Sequence, residues 1–91
     1  MTSSLGPARI DGAEGHASAF DGEMIVLVLS RPLAPGTPFR GVVAIETGEI
    51  AIEGRATRSK RTADGTFEVR ARLISLRRDD RERLLAASRS A

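Results

Sequence analysis

The side chains best suited to chemistry in this sequence are a single histidine, a nearby serine and aspartate, and many arginines. His16, Ser18 and Asp21 are the residue types of a Ser/His/Asp nucleophilic set, in which the histidine takes the proton of the serine hydroxyl. The members of such a set come from separate elements that converge in space. Neighbours on one short segment do not converge, and no nucleophile turn surrounds Ser18. We therefore predict no catalytic residue and a protein that is not an enzyme.

Metal and phosphate-loop chemistry find little support in the residues present. The chain has no cysteine and one histidine, which excludes thiolate sites and most metal-binding sets. Gly12, Gly15 and Gly22 do not form a phosphate loop, because no Gly-Lys-Ser/Thr follows them and no helix is predicted there. We expect no metal site.

The basic residues remain as candidate contacts for an anion. The chain has 14 basic residues and 12 acidic ones, for a net charge of +2, with three Phe and no Tyr or Trp. So small a net charge with so few aromatic rings does not suit nucleic-acid binding. The segment Lys60-Arg61, with Arg55 and Arg58 nearby, could bind an anion, although a solvated hairpin loop is the interpretation we favour. Further possible anion contacts are Arg31, Arg70 and Arg72.

Short strands must position most of these side chains. Met24 to Leu29 is apolar throughout, which is typical of a strand buried on both faces. Thr66 to Ser75 alternates between apolar and polar residues, as a half-buried antiparallel strand does. The same alternation predicts strands at Phe39 to Glu46 and Ile50 to Arg58, and weaker ones at Ala8 to Ile10 and His16 to Phe20. The apolar residues of neighbouring strands alternate in step, which predicts that one group lies together in the core: Phe67, Val69, Ala71 and Leu73 with Phe39, Val43, Ile45 and Ile52.

A charged hairpin loop is predicted over 59–65, and a helix over the tail at 77–88, where Asp79 and Glu82 have capping-box spacing. Six short strands followed by one helix predict a mainly β protein, a small antiparallel β-barrel with a C-terminal α-helix. We expect one domain over 8–88 after a disordered N-terminus at 1–7. No apolar run reaches membrane-spanning length and no signal-peptide pattern is seen, so we expect a cytoplasmic protein.

The turn after the apolar strand resembles the PilZ domain family. Arg31-Pro32-Leu33 followed by Gly36-Thr37 is similar to the "-RPL-x-x-G-T-" turn of that family. The segment Leu76 to Leu84 also resembles the start of the family's helix, where a leucine precedes an acidic cap. The resemblance implies a six-stranded PilZ-like barrel and a role in bacterial signalling, where the family is best known for receptors of cyclic di-GMP.

The residues that hold cyclic di-GMP in the family are not matched. The family uses an Arg-x-x-x-Arg segment before the first strand, and here Arg9 stands alone. It also uses an Asp-x-Ser-x-x-Gly segment, whose positions fall on Ala19, Asp21 and Met24 when counted back from the "-RPL-" turn. Ala19 offers no acceptor, Asp21 places a carboxylate where a phosphate approaches, and Met24 fills space that the family leaves bare. The resemblance therefore implies a degenerate ligand site, no cofactor, and cyclic di-GMP binding that is not favoured.

Two functions stay open at this point. The first is an adaptor that acts by protein–protein interaction, because a barrel without its nucleotide can keep its surface as a docking platform. The alternative is a functional cyclic di-GMP receptor with a non-standard or partner-completed pocket that uses Arg9, Arg31, Arg70 or Arg72.

The apolar strand also predicts an interface. A barrel strand buries one face, so the outward set, either Met24, Val26 and Val28 or Ile25, Leu27 and Leu29, needs a cover. Leu84 and Leu85 of the helix offer a stripe too narrow for the whole face. We predict a protein partner or a homodimer, with the interface at Ile25, Leu27, Leu29, Leu84 and Leu85.

Overall fold

The computed structural model describes residues 5–90 of the chain. Most strands coincide with segments in which apolar and polar residues alternate, β3 is apolar throughout, and glycine or proline marks most of the turns between the strands. The elements are β1 (Gly6–Ile10), β2 (Ala13–Phe20), β3 (Met24–Leu29), β4 (Pro38–Ile45), β5 (Gly48–Arg61), β6 (Phe67–Ile74) and α1 (Arg78–Ser90).

The six strands form a closed antiparallel barrel in the order β1-β2-β3-β6-β5-β4, and β1 closes it by pairing with β4. This arrangement confirms the predicted six-stranded antiparallel barrel with a C-terminal helix. The turns at 21–23 and 46–47 lie at one end, which we call the helix end, because α1 follows β6 there. The turns at 11–12 and 62–66 lie at the other end, which we call the far end.

The barrel interior is filled by the apolar side chains that point inward at alternate positions of each strand. Val69 and Ala71 are fully buried, and they face Leu27 and Ile25 across the β3–β6 pair. The predicted core set is confirmed except at Phe67, which is partly exposed because it begins β6 at the far end. Because residues that face each other across a strand pair lie on the same side of the sheet, the inward residues of β6 identify the inward residues of β3.

The inward residues of β3 correct the predicted interface. Ile25, Leu27 and Leu29 point into the barrel and are fully buried, and Leu84 of α1 is also fully buried. These four side chains cannot contact a partner while the barrel is folded. The outward set of β3 is the other one, Met24, Val26 and Val28, and all three are partly exposed.

The helix closes the helix end of the barrel and does not lie over the outer face of β3. Leu84 joins the barrel core, and Leu85 packs beside it, close to Gly22. Arg83 donates from Nε to Thr47 Oγ1 at 3.1 Å, and the Phe20 backbone N–H donates to Ser88 Oγ at 3.4 Å. The helix therefore leaves Met24, Val26 and Val28 on the outer face of β3 partly exposed.

Three predicted boundaries differ from the structure. Of the predicted disordered segment, 1–4 lies outside the described residues, but Leu5 is buried and β1 begins at Gly6. The helix begins at Arg78, so Asp79 lies in its first turn rather than capping it. The predicted loop over 59–65 starts too early, because β5 continues to Arg61. Lys60 and Arg61 are exposed there while the backbone keeps its pairing with β6, as in Lys60 opposite Glu68.

Candidate functional site on the outer face of the barrel

The three residues predicted at the degenerate ligand positions come together on the barrel surface. Ala19 lies one residue before the end of β2, Asp21 starts the following turn and Met24 begins β3, so one hairpin brings them side by side. They line a cavity of about 240 Å³ with Phe20, Val26 and Arg70. The cavity is therefore apolar on its β2 and β3 walls, with one carboxylate and one guanidinium at its borders.

The carboxylate of Asp21 is used to hold its own turn. Oδ1 accepts hydrogen bonds from the backbone N–H of Met24 at 2.8 Å and of Glu23 at 3.0 Å, and Gly22 takes a positive φ of 107° between them. These hydrogen bonds, that from Met24 most of all, lower the pKa of Asp21 below its ordinary value. Asp21 is therefore charged at neutral pH, and it would repel a phosphate that entered the cavity.

Arg9 does not belong to this cavity. It lies on the outer face of β1 opposite Glu14, and Nη2 of Arg9 is 3.4 Å from Oε1 of Glu14. Glu14 is five residues from Ala19 along β2, a separation of about 17 Å in an extended strand. The structure thus leaves the degenerate ligand positions without the arginine that the family's first segment would supply.

The predicted anion contacts Arg31, Arg70 and Arg72 separate into two places. Arg31 lies beyond β3 at the far end, where Nη2 donates to the backbone oxygen of Asp11 at 3.5 Å. Arg70 and Arg72 point outward from β6, opposite Val26 and Met24 of β3. Of these three arginines, Arg70 lines the cavity and Arg72 lies beside Met24 on the neighbouring strand.

Met24, Val26 and Val28 form a continuous apolar line along the outside of β3, which we call the β3 stripe. Ala19 and His16 flank it on β2, and Arg72, Arg70 and Glu68 flank it on β6. The β3 stripe, with guanidinium groups along one border, is suited to an apolar side chain of another protein that has polar residues next to it. It offers few hydrogen-bonding groups to a nucleotide.

The Ser/His/Asp types do not converge. His16 points outward opposite Val28, Ser18 lies at a bulge in β2, and Asp21 binds its own turn. Within residues 5–90, no hydrogen bond joins any two of them, and no group of three or more His, Cys, Asp or Glu side chains could hold a metal. No helix in the described range is long and apolar enough to cross a membrane.

The sequence indicated the cations of β5 and β6 as possible anion contacts but did not predict that they face each other beside the stripe. β5 carries Arg55, Arg58 and Lys60 on its outer face, next to Arg70 and Arg72 of β6, and we call these five residues the basic strip. A bulge between Ala56 and Arg58 turns Arg58 outward. The alternating pattern of Ile50 to Arg58 breaks at Thr57-Arg58, and that break was the available signal.

The comparisons with known proteins place the fold and go no further. No family model and no curated protein matches the sequence. Among solved structures, the Bacillus subtilis inhibitor of motility (MotI/DgrA) is similar, with a TM-score of 0.76 at 15% sequence identity. The match covers 99% of this chain and 47% of that one, so the chain spans about half the length of that protein. This similarity and the closed barrel with its single helix support a PilZ-like fold.

Proposed function

We propose that this chain is a cytoplasmic adaptor module of bacterial signalling, which binds a partner protein through the β3 stripe and does not hold cyclic di-GMP in the manner of the PilZ family. The observation that carries the proposal is the lining of the cavity at the family's ligand positions. Ala19, Met24 and Val26 make its walls apolar, and Asp21 adds a negative charge at its border.

The missing contacts argue against the nucleotide on energetic grounds. Hydrogen bonds to charged groups contribute roughly 1.5–3 kcal/mol each, and the family's two arginines would make several of them. Arg9 is the sole candidate for that pair, and it is paired with Glu14 at the other end of β2. Arg70 alone borders the cavity. The remaining contacts leave little affinity for a dinucleotide.

The β3 stripe favours a protein partner over a purely structural role. Its three side chains are only partly exposed, so each contributes less on binding than the roughly 1.5–3 kcal/mol of a fully exposed apolar side chain. A modest apolar line with cations beside it fits a regulatory contact rather than a permanent one. The similar structure is an inhibitor of motility, and a role in regulation agrees with this proposal.

Calorimetric titration with cyclic di-GMP tests the ligand half of the proposal. We expect no binding heat at micromolar concentrations. Stoichiometric binding that is lost on Arg70→Ala would overturn the proposal in favour of the second candidate, a receptor with a non-standard pocket. Arg70 lining the cavity is the observation that keeps that candidate open.

A matched pair of variants tests the protein half. Val26→Glu places a charge on the β3 stripe, whereas Val42→Glu makes the same change on β4, three strands away around the barrel. Val26 and Val42 are both outward and partly exposed. In cells of the source organism, we expect cross-links to a partner, or to a second copy, to be lost in Val26→Glu and kept in Val42→Glu. Equal loss in both variants, or none in either, would contradict the assignment.

A further inference from the structure

Two pairs of arginines face each other across the β5–β6 strand pair. Arg58 is opposite Arg70, and Arg55 is opposite Arg72. Residues directly opposite on one face of an antiparallel pair have Cβ atoms about 4.5–5.5 Å apart, and like charges in that position are destabilising. The basic strip therefore opposes the stability of the strands that carry it.

The protein compensates only part of this charge. Arg72 lies 3.0 Å from Glu23, and Arg55 donates to the backbone oxygen of Gly36 at 3.3 Å. Arg70 has a loose contact of 3.8 Å with Glu68. Arg58 has no acidic partner in the part of the chain that the structure describes. Lys60 faces Glu68 across the β5–β6 pair, and Glu68 also contacts Arg70. A local arrangement that costs stability without compensation is expected at a functional site.

Three cations of the basic strip line an open cavity. Arg58, Lys60 and Arg70 line a depression of about 330 Å³ together with Ser59 and Glu68. Arg70 also lines the cavity of the β3 stripe, so its side chain lies between the two depressions. An anion placed between Arg58 and Arg70 would offset their repulsion, because both guanidinium forks could bind it.

We propose that the basic strip binds an acidic segment of the partner protein, with carboxylates between Arg58, Arg70 and Lys60 and an apolar residue of the same segment on the β3 stripe. This inference rests on the proposed function and names the chemistry of the partner. The segment would lie across β6, from the stripe on one side to Arg58 on the other.

The composition of the surface favours a peptide over a nucleic acid. Glu68 and Glu23 stand within or beside the strip, and a continuous phosphate backbone would meet them as well as the arginines. No aromatic ring is exposed on this face for base stacking: Phe20 lines the cavity of the β3 stripe but is buried, and Phe39 and Phe67 also belong to the inward side of the barrel. A peptide, by contrast, can present carboxylates and an apolar side chain at separate positions.

The test uses the full chain and two synthetic peptides, one alternating Glu and Val and one alternating Ser and Val. Amide chemical shifts of the labelled protein are followed at low and high salt. We expect the Glu-Val peptide to shift the signals of Arg58, Lys60, Arg70 and Val26, and the Ser-Val peptide to bind at least about tenfold more weakly. Arg58→Glu should lower the affinity for the Glu-Val peptide by about tenfold or more, and high salt should lower it by a similar factor.

The outcomes separate this inference from the proposed function. Equal binding of both peptides, or binding of the Glu-Val peptide that Arg58→Glu leaves unchanged, would overturn the inference and leave the β3 stripe as a docking face. Tighter binding of pyrophosphate or single-stranded DNA at the same signals would overturn it in favour of a phosphate ligand. Binding of cyclic di-GMP at the cavity lined by Ala19 and Met24 would instead overturn the proposed function. The peptide result at Arg58 would still decide whether the basic strip binds carboxylates.

Discussion

Replacing Arg58 by glutamate should make the protein more stable, although a surface cation is being removed. Arg58 faces Arg70 directly across the β5–β6 pair and has no acidic partner among the described residues. Glutamate at this position converts a like-charge pair into an opposite-charge pair. A residue kept for the fold alone would not behave in this way, so the substitution separates a binding role from a structural one.

The size of the effect follows from the spacing of the strands. Two unit charges at the spacing of the facing Cβ atoms, about 5 Å, interact by about 0.8 kcal/mol in water, and reversing one of them changes the sign of that energy. Arginine side chains can hold their charges farther apart than their Cβ atoms, so this figure is an upper bound. Arg70 is 57% exposed, so solvent and salt screen much of the change. We expect the free energy of unfolding to rise by about 0.5–1 kcal/mol at low salt, which corresponds to about 2–8 °C in Tm for a domain of this size.

Thermal and urea unfolding at low and high salt measure this directly. Arg58→Gln, which removes the charge without reversing it, should give about half of the gain. Arg61→Glu makes the same change in net charge opposite Phe67, where no charge faces it, and should leave the stability nearly unchanged. A loss of stability in Arg58→Glu, or an equal gain in Arg61→Glu, would refute the reasoning, and a gain that persists at high salt would show that electrostatics is not its cause.

Three other substitutions and conditions have definite expected outcomes. Val69→Asp should abolish cooperative unfolding in circular dichroism, because Val69 is fully buried and a lone carboxylate there has no partner; a melt like that of the wild type would contradict the barrel phase. Leu84→Ala should cost about 2–5 kcal/mol in urea unfolding, whereas exposed Glu82→Ala should cost little. Hydrogen bonds from Thr62 and Thr66 lower the pKa of Asp64 from 3.8 to about 2. Its stabilisation of the turn should therefore be complete above pH 3.8 and be lost as the pH falls through about 2, a dependence that amide shifts of Thr66 report and that Asp64→Asn should remove.

The elements of the fold could be predicted because the sequence repeats one signal along most of its length. Thr66 to Ser75 alternates cleanly, and the structure has β6 at Phe67–Ile74 with the expected side inward. Met24 to Leu29 was found as a strand to the residue. The sequence does not show which face of this strand points inward, since both faces are apolar. Its pairing with β6 places Ile25, Leu27 and Leu29 inside.

The candidate site was harder to predict than the fold, because it depends on register between strands distant in sequence. The three degenerate positions are close in sequence, and a hairpin brings them together without further information. The basic strip instead requires that Arg58 meet Arg70, and this follows from a bulge in β5 that shifts the register by one residue. Counting residues along Ile50 to Arg58 without that bulge puts Arg58 on the inward face.

The same separation of inner and outer phases explains how a PilZ-like barrel can keep its shape while its surface changes. Side chains such as Ile25 and Val69 are held by close packing, where a change of one methylene group is felt. Ala19 and Arg70 point outward, on a surface that packing does not constrain. Asp21 lies in a turn, where its carboxylate accepts a hydrogen bond from the backbone. Ligand residues in the outer phase can therefore be lost with little effect on folding. Cations that oppose each other in that phase reduce stability, so their presence at Arg58 and Arg70 is better explained by what they bind than by what they hold together.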